Sequence, residues 1–392
     1  MYNVKTLNNI APEGLDILEA RGYNLGGKVE KPHGILVRSA DMHSMEPNPE
    51  LLAVVRAGAG TNNIPIDALT AQGIAVFNTP GANSNAVKEL GICALLLASR
   101  DVLGGINWVR SIADKGEQIA TLVESGKNSF TGPEITGKSL GVLGLGAVGS
   151  KIANTAIELG MRVYGYDPYL SVGAAWGISS QVIPAVDLET VFRNCDYITL
   201  HVPYMNTTHH MINRESIAKM KSGVRIINLA RAELVNDEDL LEAIGAGRIA
   251  RYVTDFPTAL TAGADGVIPM PHLGSSTPES EEKCARMAAQ QMFDYLENGN
   301  IQNSVNYPDC RLDRQGVSRL CVLHRNVPKM ITRILDLTSE RNINIEHMIN
   351  KARGEYACTI IDLGTKIGTE ISDKLSAMDE VMRVRIIDIS NG

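Results

Sequence analysis

The chain has 392 residues, 44% of them hydrophobic and 21% charged, with a formal net charge of −7. That length exceeds one ordinary core and predicts three domains, while the composition is that of a globular protein with no apolar run near the roughly 20 residues of a membrane span. The acidic balance argues against nucleic acid as a partner, and neither a membrane nor a metal is expected. The first residues, MYNVKTLNNIAPEG, contain no basic stretch followed by an apolar one, so a cytoplasmic protein is expected. Cys93, Cys195, Cys284, Cys310, Cys321 and Cys358 form no C-x-x-C pair, which supports neither a zinc ribbon nor a dithiol motif and leaves most of them as small buried hydrophobes.

Along the first 80 or so residues, short β-rich runs (VKTL, ILVRSA, LLAVVRAGAG, IAVFNTPG) alternate with helix-like PEGLDILEARG and PIDALTAQG. Such alternation predicts a parallel sheet covered by helices. SNAVKELGICALLLASRDVLGGINWV reads as one long helix leading to a second βα series from Lys138, through SLGVLG, MRVYGYD, CDYITLHV, VRIINLA and IARYVTD. A further long helix is signalled by Ser276-Thr277-Pro278-Glu279 at its start and Asn298-Gly299 at its end, and it should carry the chain back to the first lobe. Residues 309–318 are polar and aperiodic, which reads as a linker. The remainder, from 319, reads strand, helix, strand, strand, helix, strand, a ferredoxin-like βαββαβ order. The expectation is an α/β protein with two doubly wound, Rossmann/flavodoxin-like parallel lobes and a small βαββαβ domain. The domains fall at 1–85 with 268–308, at 86–267, and at 319–392.

Gly144, Gly146 and Gly149 have G-x-G-x-x-G spacing after an expected strand and before an expected helix, and Asp167 ends the next strand 18 residues past Gly149. Gly144 permits a tight turn, Gly146 lets backbone N–H groups reach a pyrophosphate, and Gly149 permits close helix packing. Leu145, Ala147 and Val148 complete the loop. Asp167 can accept from both ribose hydroxyls and would repel a 2′-phosphate. No cation follows in Pro168-Tyr169-Leu170-Ser171, so NAD is expected rather than NADP.

Oxidation of a hydroxy acid needs a base for the hydroxyl proton and a cation for the carboxylate. Arg231 in INLARAELV and His272 in IPMPHLGSST both lie in loops at expected strand ends. On its own, a His between Pro271 and Leu273 reads as structural. However, GLGAVG with Asp167, DYITLHVP, INLARAELV and PHLGSST occur in the order found in the D-isomer-specific 2-hydroxyacid dehydrogenases, and the chain resembles that family over about residues 1–308. The resemblance implies that Arg231 binds the substrate carboxylate, that His272 does acid/base work, and that Asp255 sits against the cofactor amide. It also implies that His201, Val202, Pro203, Ala230 and Gly274 line the cofactor. One departure stands out: the family's D-V-F-x-x-E-P run, whose Glu bonds the catalytic His and raises its pKa, is Thr254-Asp255-Phe256-Pro257-Thr258-Ala259-Leu260 here. Ala259 falls where the Glu is expected, so His272 either titrates lower or borrows another carboxylate, with Asp265 and Glu233 as candidates.

Arg38 and Ser39 in ILVRSA, and Arg56 and Gly58 in VVRAGAG, lie at first-lobe strand ends, where two cations suit a phosphate. These runs resemble the branch of the family that acts on 3-phospho-D-glycerate in the first step of phosphorylated serine synthesis. The C-terminal part resembles ACT domains, which bind amino acids between paired copies. L-Serine is the implied effector, with Asn326 and Asn344 as contacts, although Lys329 replaces the usual Gly after Pro328. A purely structural dimerisation module is the competing reading. The expected activity is NAD-dependent oxidation of 3-phosphoglycerate by a homodimer or homotetramer. The alternatives are another D-2-hydroxy acid, such as glycerate or 2-hydroxyglutarate, and a non-catalytic NAD-sensing regulator.

Overall fold

The computed structural model describes residues 1–388, which form two compact units: Met1–Asn83 together with the chain from Pro278 onward, and Ser84–Thr277. The unit limits thus fall at 83/84 and 277/278, whereas the sequence places lobe limits at 85/86 and 267/268.

The first unit begins with β1 (Asn3–Leu7), α1 (Pro12–Glu19), β2 (Asn24–Gly26), β3 (Gly34–Val37), β4 (Ala53–Arg56), α2 (Ile66–Ala71) and β5 (Ala75–Phe77). The strands form a parallel sheet in the order β2-β1-β3-β4-β5. β3 and β4 are buried throughout except at Arg56, as the unbroken apolar runs of a covered parallel sheet should be.

The second unit starts with α3 (Ser84–Ser99), α4 (Val102–Ser111) and α5 (Ile119–Gly126). The single long helix expected here is therefore broken after Ser99. Asp101 turns its carboxylate onto the Gly104 N–H (3.0 Å) and starts a new helix, a local competition with the helical ladder that Asp often wins. Then follow β6 (Ser139–Leu143), α6 (Gly149–Glu158), β7 (Arg162–Tyr166), α7 (Val172–Ala175), β8 (Ile183–Pro184), α8 (Leu188–Asn194) and β9 (Tyr197–Leu200). After these come α9 (Arg214–Lys219), β10 (Val224–Asn228), α10 (Asp237–Gly245), β11 (Ile249–Thr254) and β12 (Val267–Pro269). The seven strands are parallel, in the order β12-β11-β10-β9-β6-β7-β8. Winding reverses between β6 and β9, and such a switch point opens a crevice at the strands' carboxyl ends.

The first unit resumes with α11 (Pro278–Asn298), which starts and stops as its sequence signals foretell, with Gly299 at φ +69 after its last turn. Its alanine stripe packs on α1 so closely that a Cβ on Gly14 would lie 2.7 Å from that of Ala285. β13 (Ser318–Arg325), α12 (Met330–Ser339), β14 (Ile345–Arg353), β15 (Tyr356–Leu363), α13 (Thr369–Ser376) and β16 (Val381–Asp388) complete the chain in the expected βαββαβ order. They form an antiparallel sheet ordered β14-β15-β13-β16.

Residues 309–318, read above as a linker, are not a free spacer. Cys310 is fully buried and bridged to Ile301, and the Gln315 N–H donates to Asp362 (2.8 Å). One continuous core runs from Val4 and Leu36 through Met292 and Tyr295 to Cys321, Cys358 and Ile360. Cys93 is exposed and the other five cysteines are buried. Among the described residues no helix is long and apolar enough to cross a membrane.

Candidate active site

β6 is buried at all five positions, and its chain leaves the sheet at Gly144. There φ is +90° and a Cβ would stand 2.6 Å from the His201 carbonyl oxygen, so only glycine allows both the turn and the passage of the neighbouring strand end. Gly146 and Ala147 are exposed, and nothing lies within 4 Å of the place a Gly146 Cβ would take. A Cβ on Gly149 would come 1.9 Å from the Gly144 carbonyl oxygen. Leu145 and Val148 anchor the loop by turning their side chains into the core, and Val148 gives the first N–H groups of α6 no side-chain cap. Uncapped N–H groups at a helix start receive anions. Asp167 accepts from the Leu145 and Tyr169 amides, both at 2.9 Å, which fixes its carboxylate beside the loop and leaves lone pairs for hydroxyl donors. This cradle fits NAD.

Opposite the glycine turn, His201 is held by Thr199 Oγ1 (2.8 Å from Nε2), and burial pushes its imidazole down to about 4, so it is neutral at pH 7. Val202 is half-buried beside Gly144, and Pro203 is exposed.

Pairing of Asn228 and Pro269 with Thr254 brings the carboxyl ends of β10, β11 and β12 side by side. Fully buried Asn228 organises the first of the three loops. Its Oδ1 accepts from the N–H groups of Ala230 (3.1 Å) and Arg231 (3.4 Å), and its Nδ2 donates to the Arg231 carbonyl (2.8 Å). Arg231 extends from this loop, donates to the Ala230 carbonyl at 2.6 Å, and lies 5.4 Å from the centre of the Phe256 ring. That ring also packs against exposed His272, at 4.4 Å between centroids. One aromatic ring thus gathers the cation and the imidazole. Asp255 is 1% exposed and accepts from the Gly274 N–H (3.1 Å). Burial pushes its carboxyl up, against the opposing pull of that amide, His272 and Arg231.

Neither of the two carboxylates considered as substitutes for the missing Glu has a described bond to His272. Asp265 precedes β12 whereas His272 follows it, and it lines a surface cavity with Leu241 and Ile244. Glu233 is exposed in the turn after Arg231, and Ala259 is also exposed.

The first unit holds the other pair of cations. Arg56 Nε donates to the Arg38 carbonyl (2.9 Å), and Gly58, at φ +154°, leaves room for the Arg56 guanidinium, which a Cβ there would meet at 2.9 Å. Asn8 accepts from the N–H groups of Ser39 (3.1 Å) and Ala40 (2.6 Å), which shapes the strand end carrying Arg38. Arg38 also makes an ion pair with Glu281 of α11 at 2.6 Å. In the C-terminal sheet, Asn326 follows the end of β13 that pairs with Tyr356, and Asn344 precedes the end of β14 that pairs with Leu363. The two asparagines therefore stand at opposite ends of the sheet within one chain. There they bond locally, Asn326 to the Gly354 carbonyl (3.2 Å) and Asn344 to Glu346 (2.8 Å).

Asn228, Phe256 and Glu281 are the contributors that sequence reasoning missed. A polar Asn closing an apolar strand was a usable signal for the first, whereas nothing in the spacing pairs Phe256 with Arg231 or Glu281 with Arg38.

The profile of the family described as D-isomer specific 2-hydroxyacid dehydrogenase, NAD binding domain, matches residues 98–274. A D-3-phosphoglycerate dehydrogenase of Haemophilus influenzae is 31% identical over 95% of this chain and 94% of its own length. The human D-3-phosphoglycerate dehydrogenase is 32% identical over 75% of this chain, which spans only 55% of that relative. Among solved structures, the NAD+-bound 3-phosphoglycerate dehydrogenase of Entamoeba histolytica superposes with a TM-score of 0.62 at 25% identity, covering 78% of this chain and 98% of that one.

Proposed function

The chain belongs to the D-isomer-specific 2-hydroxyacid dehydrogenases, and we propose that it oxidises 3-phospho-D-glycerate to 3-phosphohydroxypyruvate with NAD, the opening reaction of phosphorylated serine synthesis. The observation that carries the reading is the gathering of Arg231 and His272 around the ring of Phe256, at the strand ends beside the dinucleotide loop. When bound, NAD supplies the hydride acceptor. Arg231 holds the carboxylate and polarises the oxygen on C2, and His272 removes the hydroxyl proton in oxidation and returns it in reduction. Arg38 and Arg56 supply two cations for the phosphate, and Glu281 keeps Arg38 extended until an anion arrives.

The same reading includes a cytoplasmic location and at least a homodimer. α4 and α5 contain no buried residue, and α4 leaves Val102, Leu103, Ile106 and Val109 each more than 40% exposed. L-Serine is the proposed effector of the C-terminal domain. With Asn326 and Asn344 at opposite ends of one sheet, a shared ligand requires a second copy to bring them together.

The test compares NADH consumption with 3-phosphohydroxypyruvate and with hydroxypyruvate, with and without millimolar serine. A strong preference for the phosphorylated compound is expected. Arg38→Ala or Arg56→Ala should raise its KM at least tenfold while leaving that for hydroxypyruvate nearly unchanged. Equal losses on both would remove the phosphate assignment, and no turnover of either despite NADH binding would favour a sensor.

A further inference from the structure

Two guanidiniums side by side attract any small anion in solution unless a group of the protein competes for them. Arg38 and Arg56 form such a pair. The Arg56 side chain donates to the Arg38 carbonyl (2.9 Å), and the Thr79 N–H donates to the Gly58 carbonyl (3.1 Å), which ties together the ends of β3, β4 and β5. The first turns of α11 close the group. Burial raises the Cys284 thiol, and Thr79, Ser280, Arg38 and Arg56 pull against that rise, so both cations lie near this stretch of the helix. One turn before Cys284, Glu281 reaches off the helix to Arg38 at 2.6 Å. An acid in the first turn also stabilises a helix through its dipole, a role that exposed Glu279 serves equally. Glu282 stays on its own helix, against Arg286 (2.8 Å), whereas Glu281 crosses to a strand end. The side chains of Arg38 and Glu281 are 35% and 41% exposed, so water screens their bond and an incoming anion can break it.

We propose that Glu281 is a specificity-determining residue for the phosphate end of the substrate: a built-in counter-anion that a phosphate must displace from Arg38. The inference rests on the phosphate reading of Arg38 and Arg56 above. Glu281 works through Arg38 and takes no part in proton or hydride transfer. Its carboxylate sets a threshold, because an incoming anion gains only the difference between its own bonds to Arg38 and those of Glu281, and it also meets the repulsion of a like charge. A substrate that is held at its C1 carboxylate as well clears this threshold, since its two ends bind as one molecule. Free inorganic phosphate has no second anchor and binds weakly. When a phosphorylated product leaves, Glu281 returns to Arg38, which keeps the site from holding product too tightly.

Glu281→Gln removes the charge at nearly constant size. Its expected consequences are a KM for 3-phosphohydroxypyruvate about three- to tenfold lower, a Ki for inorganic phosphate lower by a similar factor, and a KM for hydroxypyruvate within about twofold of wild type. A carboxylate that only stabilised the start of α11 would lower the urea midpoint without separating the two KM values. The route is read from a double-mutant cycle: in an Arg38→Ala background, Glu281→Gln should change the KM for the phosphorylated substrate by less than about twofold. The proposal is overturned if Glu281→Gln leaves that KM unchanged or raises it, if it shifts the KM values of both substrates equally, or if its full effect survives in the Arg38→Ala background. Arg38→Ala, measured first, separates the two possible failures. If it does not raise the KM for the phosphorylated substrate, the phosphate reading falls and this inference with it. If it does, and Glu281→Gln is without effect, the counter-anion alone is overturned.

Discussion

His201 illustrates how a single side chain beside the glycine turn constrains the whole protein. Its imidazole is pushed down to about 4 in the fold from 6.5 when free, so the unfolded chain binds a proton in that interval that the native chain refuses. Stability from this residue is therefore complete above pH 6.5 and is lost as pH falls toward 4. The loss is on the order of 3 kcal/mol, because each tenfold difference in proton affinity between the two states is worth about 1.4 kcal/mol. Urea unfolding midpoints should drop between pH 7 and pH 4.5, and the drop should be visibly smaller in His201→Gln. An equal drop in both proteins would mean that His201 is solvated. The glycines of the adjacent loop were legible from sequence because their requirement is local: a +90° φ at Gly144 and a 1.9 Å approach at Gly149 exclude any side chain whatever surrounds them. The meeting of His272 and Arg231 at Phe256 was not legible, because it depends on which loops meet.

At the scale of elements, α11 shows what the C-terminal part contributes. The last carbonyls of a helix have no partner within it. Here those of Tyr295 and Leu296 accept from Arg385 (2.8 and 2.6 Å), that of Glu297 from Arg314 (3.2 Å) and that of Asn298 from Arg319 (2.9 Å). These cations also meet the negative end of the helix dipole. Arg319 is itself fully buried, in a two-pronged pair with buried Asp362 (2.6 and 2.8 Å). Removing one partner from such a pair leaves a buried charge, so Asp362→Asn should destabilise the first unit by about 3–5 kcal/mol in urea unfolding. A loss below about 1 kcal/mol would show that water reaches the pair. At the start of α12, Lys329 occupies the left-handed region, at φ +66°.

For the whole molecule, the exposed apolar side chains of α4 set the expectation. α4 carries Trp108, packed on Phe130 at 5.4 Å, and an uncovered apolar face of this kind marks an interaction surface. Light scattering should give a mass at least twice that of one chain, and Ile106→Asp should lower it toward the monomer while circular dichroism stays unchanged. A wild-type monomer at micromolar concentration would remove the homodimer from the reading.

The sequence by itself determined the alternation of strands and helices, the βαββαβ order of the C-terminal part and the dinucleotide loop with its acidic strand end. Each of these follows from periodicity or from backbone rules acting over a few residues. It also marked Arg231 and His272 as chemically apt, and Ala259 as a gap. Tertiary structure alone decided the rest. It broke the long helix at Asp101, where a side-chain cap competes with the ladder, and placed Arg231, Asp255, Phe256 and His272 together by aligning three strand ends. It also made Arg314, Arg319, Asp362 and Arg385 the attachment of the C-terminal sheet to α11. Charged side chains look solvated in a sequence because their burial depends on a partner, and that partner is brought to them only by the fold.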